Sequence, residues 1–214
     1  MNVRFLLVIG GVFCMGFPFF YSQEKFFAYG VLGTTASQIS GDNTHGFGQF
    51  GVYAGATIDY ELKDSWFLET GLIFNQKGAR KYQALGNIST YRLRVNYIDV
   101  PILAKYKWKD FSFSLGKAIN VKINQRERTD FGEIEDPRIF KPLELSIQGG
   151  VNYRLKENWR VQLNYQNSIL PVRKHGENYF TSNVPNTIFE EWHQTIVNKG
   201  QYFSLFSLFF IYEI

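Results

Sequence analysis

The candidate residues for nucleophilic catalysis in this chain are few. They are the three histidines, His45, His175 and His193, and Ser168, which lies a few positions before His175. A serine and a histidine within hydrogen-bond distance, oriented by a carboxylate, form the machinery of acyl hydrolases and acyl transferases. Carboxylates that could serve as the third group follow in the same stretch: Glu177, Glu190 and Glu191. Whether such a site exists depends on the elements that position these residues.

Three short turns with similar sequences divide the chain, at residues 63–66, 109–111 and 156–159. Each joins two long runs of alternating apolar and polar residues, and each places an aromatic residue at the start of the second run. Such turns indicate hairpins. The other connections are long. This alternation of short and long connections is typical of an up-and-down barrel with short turns at one end and long loops at the other.

The alternation predicts eight strands, at residues 26–39, 47–62, 66–77, 91–108, 111–123, 143–155, 159–170 and 201–214. Most have at least the roughly 9 to 11 residues that cross a bilayer at a tilt, whereas strands of soluble proteins usually have about 5 or 6. A soluble sandwich would show the same alternation, but strand length disfavours it. We therefore predict an all-β fold: an eight-stranded antiparallel up-and-down transmembrane β-barrel with short periplasmic turns and long outer loops.

Two strands have less regular faces. In the fourth, the apolar residues occupy odd positions from Tyr91 to Tyr97 and even positions from Val100 onward. We predict a bulge near Asp99 and Pro101 that exchanges the two faces, because an extra residue shifts the alternation and proline cannot donate to the ladder. The last strand is apolar on both faces, and we assign one set to the lipid: Phe206, Leu208, Phe210 and Tyr212.

The N-terminus has the features of a secretory signal peptide over residues 1–22: basic Arg4, an apolar stretch interrupted by Pro18, and small Ser22 at the cleavage position. Removal after Ser22 would leave a single barrel domain, residues 23–214, without the chain's one cysteine, Cys14. The net charge of +4 is spread over the chain without a basic stripe, so we predict no nucleic-acid partner. Aromatic residues near the strand ends favour a membrane interface, with outer-membrane lipid as the surrounding partner.

Side chains fill the interior of an eight-stranded barrel, so we do not expect a diffusion pore. Charges enclosed there must pair, and we predict a lumen charge network of ion pairs and hydrogen bonds. Its members by strand alternation are Asp59, Glu61, Glu69, Arg92, Arg94, Lys122, Glu144, Arg154 and Arg160. Ser168 also points into this lumen, away from lipid, while the histidines fall in outer loops. No catalytic site, metal site or cofactor is therefore predicted, and histidines and loop carboxylates lack metal-ligand spacing.

The fourth outer loop, residues 171–200, is long for an unstructured connection, and such loops are usually functional or disordered. It carries apolar side chains suited to packing on a partner. The candidate partner contacts are Tyr179, Phe180, Phe189 and Trp192.

Four segments resemble the PorT-like outer membrane β-barrel proteins of Bacteroidetes: SQISGD at 37–42, GVYAG at 51–55, ETGLIFNQKG at 69–78 and NYIDVPILAKY at 96–106. The last two are the more specific. The resemblance implies an eight-stranded barrel in the outer membrane of a Gram-negative bacterium, and its named member is associated with type IX secretion and gliding.

We accordingly predict a non-enzymatic outer-membrane barrel, an accessory or scaffold of an envelope assembly, with envelope or secretion proteins as partners. The alternative is a surface adhesin or ligand-binding barrel. A lipid A-modifying enzyme is the third hypothesis.

Overall fold

The computed structural model describes residues 25–40, 46–81, 90–134, 139–173 and 200–214. Within them no helix has the length and apolar character needed to cross a membrane. The strands are β1 Phe26–Ser40, β2 Gln49–Lys63, β3 Trp66–Lys81, β4 Tyr91–Trp108, β5 Phe111–Thr129, β6 Gly132–Glu133, β7 Leu143–Arg154, β8 Trp159–Ser168 and β9 Tyr202–Glu213. The signal-peptide prediction for residues 1–22 falls outside the described residues.

Eight strands close into one antiparallel barrel, and β6 pairs with β5 alone as the return strand of a small hairpin. The closing pair is β1 with β9, in register from Tyr29 opposite Glu213 to Ser40 opposite Tyr202. The predicted fold is therefore confirmed. Strand β5 extends further than predicted, to Thr129, and so stands well beyond the start of β7 opposite Val121.

The short turns have the backbone geometry of tight hairpins. Asp64 and Ser65 both have positive φ, 43° and 76°, as a two-residue type I′ turn requires. Lys109 likewise has a φ of 56°. Around this short-turn rim, outward aromatic rings pair across neighbouring strands: Trp66 with Tyr106, Phe111 with Tyr153, and Trp159 with Tyr212. These pairs form the girdle expected where a barrel wall meets a membrane interface.

The assigned outward face of β9 is confirmed, because Phe206, Leu208, Phe210 and Tyr212 are exposed while Phe203, Leu205, Phe209 and Ile211 are buried. The outward face of β9 is thus apolar between the rims. Inside, two apolar clusters occupy different levels, one centred on Tyr53 and Phe209 and the other, at the loop end, on Tyr97 and Phe203.

The predicted exchange of faces within β4 is wrong. Leu93, Val95 and Tyr97 have no exposed surface and point inward, on the same side as Asp99 and Lys105. The extra residue lies in the partner strand instead, since Asn96 pairs with Asn124 while Tyr97 pairs with Lys122. Pro101 does interrupt a ladder, because the β3–β4 pairing skips from Ile102 to Asp99, and proline has no N–H to donate.

Candidate functional site: the barrel interior

One buried lysine forms the centre of the polar interior. Lys77 has no exposed surface, and its Nζ lies 3.3 Å from both carboxylate oxygens of Glu144 and 3.6 Å from Asp99. The same Nζ sits 4.7 Å from the centroid of the Tyr97 ring. Three strands supply this group, because the inward residues are the odd-numbered ones on β3 and β4 and the even-numbered ones on β7. Two carboxylates therefore share one cation.

Hydrogen bonds extend this centre across the barrel. Asn75 donates to Asp99 at 2.7 Å, and Gln166 donates both to Asp99 at 3.3 Å and to Ser146 at 2.8 Å. Ser168 donates to Glu144 at 2.8 Å and accepts from the Phe203 amide at 3.1 Å. The carboxylates thus accept hydrogen bonds from neutral groups as well as from Lys77, which is what a buried charge needs to be tolerated.

A second lysine centre lies near the short-turn rim. Lys105 donates to both oxygens of Asp59, at 3.1 and 2.9 Å, and also pairs with Glu69. Tyr29 separates it from Arg160, whose guanidinium lies 4.7 Å from that ring. A pocket opens beside this centre, with Lys107, Asn152 and Arg154 in its wall. Here too one cation serves two carboxylates.

The loop end of the barrel is closed by apolar packing. Phe140 stacks on Phe203 with ring centroids 5.5 Å apart, and Tyr97 meets Phe203 edge-on at 6.1 Å. Above them Arg173 pairs with Glu127 at 2.5 Å and lies 4.2 Å from the Phe140 ring. Side chains therefore fill the interior at this level, as the size of an eight-stranded barrel demands.

The structure distributes the predicted lumen network over several places. Asp59, Glu69 and Glu144 are buried in the two lysine centres. The others lie nearer the ends: Arg160 pairs with Glu213 at 2.7 Å, Arg154 contacts Asp110 at the short-turn rim, Glu61 is half-buried, and Lys122 donates to the Phe140 carbonyl oxygen at 2.6 Å.

For Arg92 and Arg94 the prediction is wrong. They alternate with Leu93 and Val95, which are buried inside, so both arginines lie on the outer face of β4, and Arg94 is exposed. The alternation of the sequence assigns the apolar residues of this segment to the lipid. At the loop end, however, the interior is the apolar side.

Sequence reasoning missed four interior residues that matter most to the charge balance: Lys77, Asp99, Lys105 and Arg173. Two had a usable signal, since Lys77 shares the odd-numbered face of β3 with Glu69, and Lys105 shares that of β4 with Asp99. Arg173 follows β8 and had no periodic signal. The candidate partner contacts Tyr179, Phe180, Phe189 and Trp192, and the three histidines, fall outside the described residues.

The arrangement is suited to structural pairing and not to nucleophilic catalysis. The Ser168 hydroxyl is 3% exposed and donates to a carboxylate that Lys77 already neutralises. A nucleophile needs a base that takes its proton and access to a substrate. In the described part of the chain, no group of three or more histidine, cysteine, aspartate or glutamate side chains could hold a metal ion.

The family model described as outer membrane protein beta-barrel domain matches residues 21–172, which is most of the chain. This chain belongs to that family. It is accordingly an outer-membrane protein of a Gram-negative bacterium, and its short turns face the periplasm while its long loops face outward.

Solved structures with a similar fold include Neisserial surface protein A, with 12% identity and a TM-score of 0.46 over 88% of this chain and 97% of that one. The attachment invasion locus protein Ail of Yersinia pestis has 12% identity and a TM-score of 0.45, covering 90% and 100%. CarO of Acinetobacter baumannii has 8% identity and a TM-score of 0.45, covering 86% and 97%. A search of curated proteins returned no match.

Proposed function

We propose that this barrel is a non-enzymatic accessory or scaffold of an envelope assembly, as in PorT-like type IX secretion, and that it works through its outer surface without a cofactor. The supporting observation is the filled interior. Leu93, Val95 and Phe203 have no exposed surface at the loop end, and Lys77 has none at the centre. An interior filled in this way over the described strands favours action on other molecules through the rims and loops.

A short hairpin at the loop end is suited to such a contact. Strands β5 and β6 extend beyond the neighbouring β7 and are joined at Asp130 and Phe131. Asp130 accepts hydrogen bonds from the backbone and the hydroxyl of Thr90, which fastens the tip to the start of β4. Phe131 is 99% exposed at that tip. A large aromatic side chain held in water on a fixed turn favours a protein contact.

The resemblance of residues 69–78 and 96–106 to PorT-like proteins supports the secretion role. Both segments contribute to the Lys77 centre, through Lys77 on β3 and Asp99 on β4. They are therefore segments that specify the barrel interior, and the partner surface must be sought in the loops.

Deletion of the gene, followed by comparison of secreted, surface and periplasmic proteins, tests the proposal. Retention of cargo in the periplasm is expected, with recovery on complementation by the intact gene. Complementation with Phe131→Ala, or with Phe189→Ala and Trp192→Ala together, should give correctly inserted barrels that restore secretion poorly. Leu208→Ala, a lipid-facing change, is the matched control. An unchanged secretion profile in the deletion strain would refute the role in secretion.

A surface adhesin or ligand-binding barrel is the second candidate, and the exposed Phe131 tip supports it equally well. The discriminating measurement is binding of the purified protein to external molecules when envelope proteins are absent. A lipid A-modifying activity is the third hypothesis. Mass spectrometry of lipid A from the deletion strain should show no lost modification, and a lost acyl or phosphate group would favour the enzyme.

A further inference from the structure

A row of side-chain amides marks a boundary on the outer face of β3, β4 and β5. Gln76, Asn96 and Asn124 lie in register on adjacent strands. Gln76 donates to Asn96 at 3.0 Å, and Asn96 donates to Asn124 at 2.9 Å. We call these three residues the amide row.

Below the amide row the outward residues are mainly apolar down to the short turns, and the exposed Lys117 of β5, opposite Ile102, is a charged exception. On β4 the outward residues in that direction run from Ile98 to Trp108 at the turn. Ten residues at about 3.3 Å each, tilted by roughly 40°, span about 25 Å along the membrane normal. That height equals the apolar band of outer-membrane barrels. The amide row therefore lies at the outer edge of the hydrocarbon region.

Above the amide row the same face carries five arginines in two cross-strand rows. Arg94 lies opposite Arg126 in the first row. In the second, Arg80 of β3 lies opposite Arg92, which lies opposite Arg128. We call these five residues the arginine patch. Like charges directly opposite one another destabilise a sheet, so the pair of Arg94 and Arg126 favours a bound anion.

The charges of the first row, Arg94 and Arg126, are not balanced by the acidic side chains nearby. Glu133 lies 3.7 Å from Arg128, and both side chains are more than half exposed. Glu127, which follows Arg126, points inward to Arg173. Among the residues that the structure describes, neither Arg94 nor Arg126 has an acidic partner.

The position of the patch identifies its anion. The arginines face sideways along the wall, about 10 Å above the last apolar residue Ile98 at Arg94 by strand rise and tilt. This is the level of lipid headgroups in the outer leaflet, which in Gram-negative bacteria consists of phosphorylated glycolipids. Guanidinium groups bind phosphate through two parallel hydrogen bonds, and the apolar wall beneath can contact the acyl chains of the same molecule.

We propose that the arginine patch binds the phosphate groups of an outer-leaflet phosphorylated glycolipid, whose acyl chains lie on the apolar wall of β3, β4 and β5. The site is independent of the proposed secretion role. It gives the barrel a fixed lipid contact on one side, next to the β5–β6 hairpin that carries Phe131.

The test uses the full barrel refolded in non-ionic detergent, with bisphosphorylated lipid A as the probe and native mass spectrometry or a fluorescence titration as the readout. Arg94→Gln with Arg126→Gln should weaken binding about tenfold or more, because two charge-assisted contacts are lost. Arg94→Lys with Arg126→Lys should bind with intermediate affinity. The matched control is Lys63→Gln with Lys107→Gln, which removes the same charge from the periplasmic rim.

Two further probes separate the sources of the anion. Dephosphorylated lipid A should bind the unaltered protein weakly, with about the affinity that bisphosphorylated lipid A has for the variant Arg94→Gln with Arg126→Gln. Free inorganic phosphate should compete poorly with bisphosphorylated lipid A for the unaltered protein. Equal binding of lipid A to both double glutamine variants, each shown to be folded by its heat-dependent gel migration, would overturn the proposal. So would a soluble sulfated saccharide that bound the patch as tightly as lipid A.

Discussion

Replacing Lys77 with methionine is expected to destabilise the barrel by about 3–5 kcal/mol, the usual cost of removing one partner from a buried ion pair. Lys77 has no exposed surface and faces Glu144 at 3.3 Å and Asp99 at 3.6 Å. Methionine keeps the length of the side chain and can still pack on the Tyr97 ring. The loss therefore reports the two carboxylates left without their cation.

The matched control is Lys63→Met. Lys63 also pairs with a carboxylate, at 3.6 Å from Asp64, but their side chains are 84% and 82% exposed. Such a surface pair contributes about 0–1 kcal/mol. The measurement is reversible urea unfolding from phospholipid vesicles, followed by tryptophan fluorescence, which gives the free energy of unfolding for each variant.

A double variant tests the cause. Glu144→Gln keeps the shape and the hydrogen bond from Ser168 but removes one of the two negative charges, so Lys77→Met with Glu144→Gln should be more stable than the sum of the single losses predicts. Additive losses, or a Lys77→Met barrel no less stable than Lys63→Met, would refute the view that Lys77 neutralises these carboxylates.

Three other outcomes are expected. Gly33→Ala should cost about 1–3 kcal/mol by overpacking, because its new Cβ would lie 2.2 Å from the Leu208 carbonyl oxygen, whereas Gly30→Ala meets no atom within 4 Å; equal unfolding free energies would contradict this. Hydrogen bonds from Thr90 lower the pKa of Asp130. The contact between Thr90 and Asp130 should therefore persist as the pH falls below the ordinary pKa of aspartate, and it should be lost as the pH passes through the lowered pKa. Thr90→Val should raise the pKa of Asp130 in an NMR titration, and an unchanged pKa would argue against the contact. Liposomes containing the barrel should not swell in small sugars, because the interior is filled, and swelling would show an open path.

The alternation of residues was sufficient to predict the barrel but not every face of it. On β9, Phe206 and Phe210 lie at bilayer depth, where the apolar side must face lipid, and their assignment was correct. On β4, Leu93 and Val95 follow the same period but lie beyond that depth. There the outside is wet and the interior holds an apolar cluster, so the usual assignment inverts.

Strand length contained the missing information. Strand β4 has 18 residues, whereas roughly 9 to 11 residues of a strand are enough to cross the membrane. About half of β4 must therefore lie in the headgroup region or above it. Arg92 and Arg94 belong to that half. The Lys77 centre was harder to predict, because pairing Lys77 with Glu144 requires knowing that β3 and β7, which are not neighbours in the sheet, approach each other inside a closed barrel. Period 2 does not encode this.

The extra residue in β5 explains how two environments are fitted to one strand. Below the bulge, outward positions of β5 are odd, ending at Val121 opposite Ile98. Above it they are even, beginning at Asn124 opposite Asn96. If inward and outward residues alternated without interruption through β5, with no bulge, Glu127 would point outward and Arg126 into the lumen. The bulge lies at the amide row, where the membrane boundary falls, so one inserted residue places Glu127 inside against Arg173 and leaves Arg126 beside Arg94 on the outer wall.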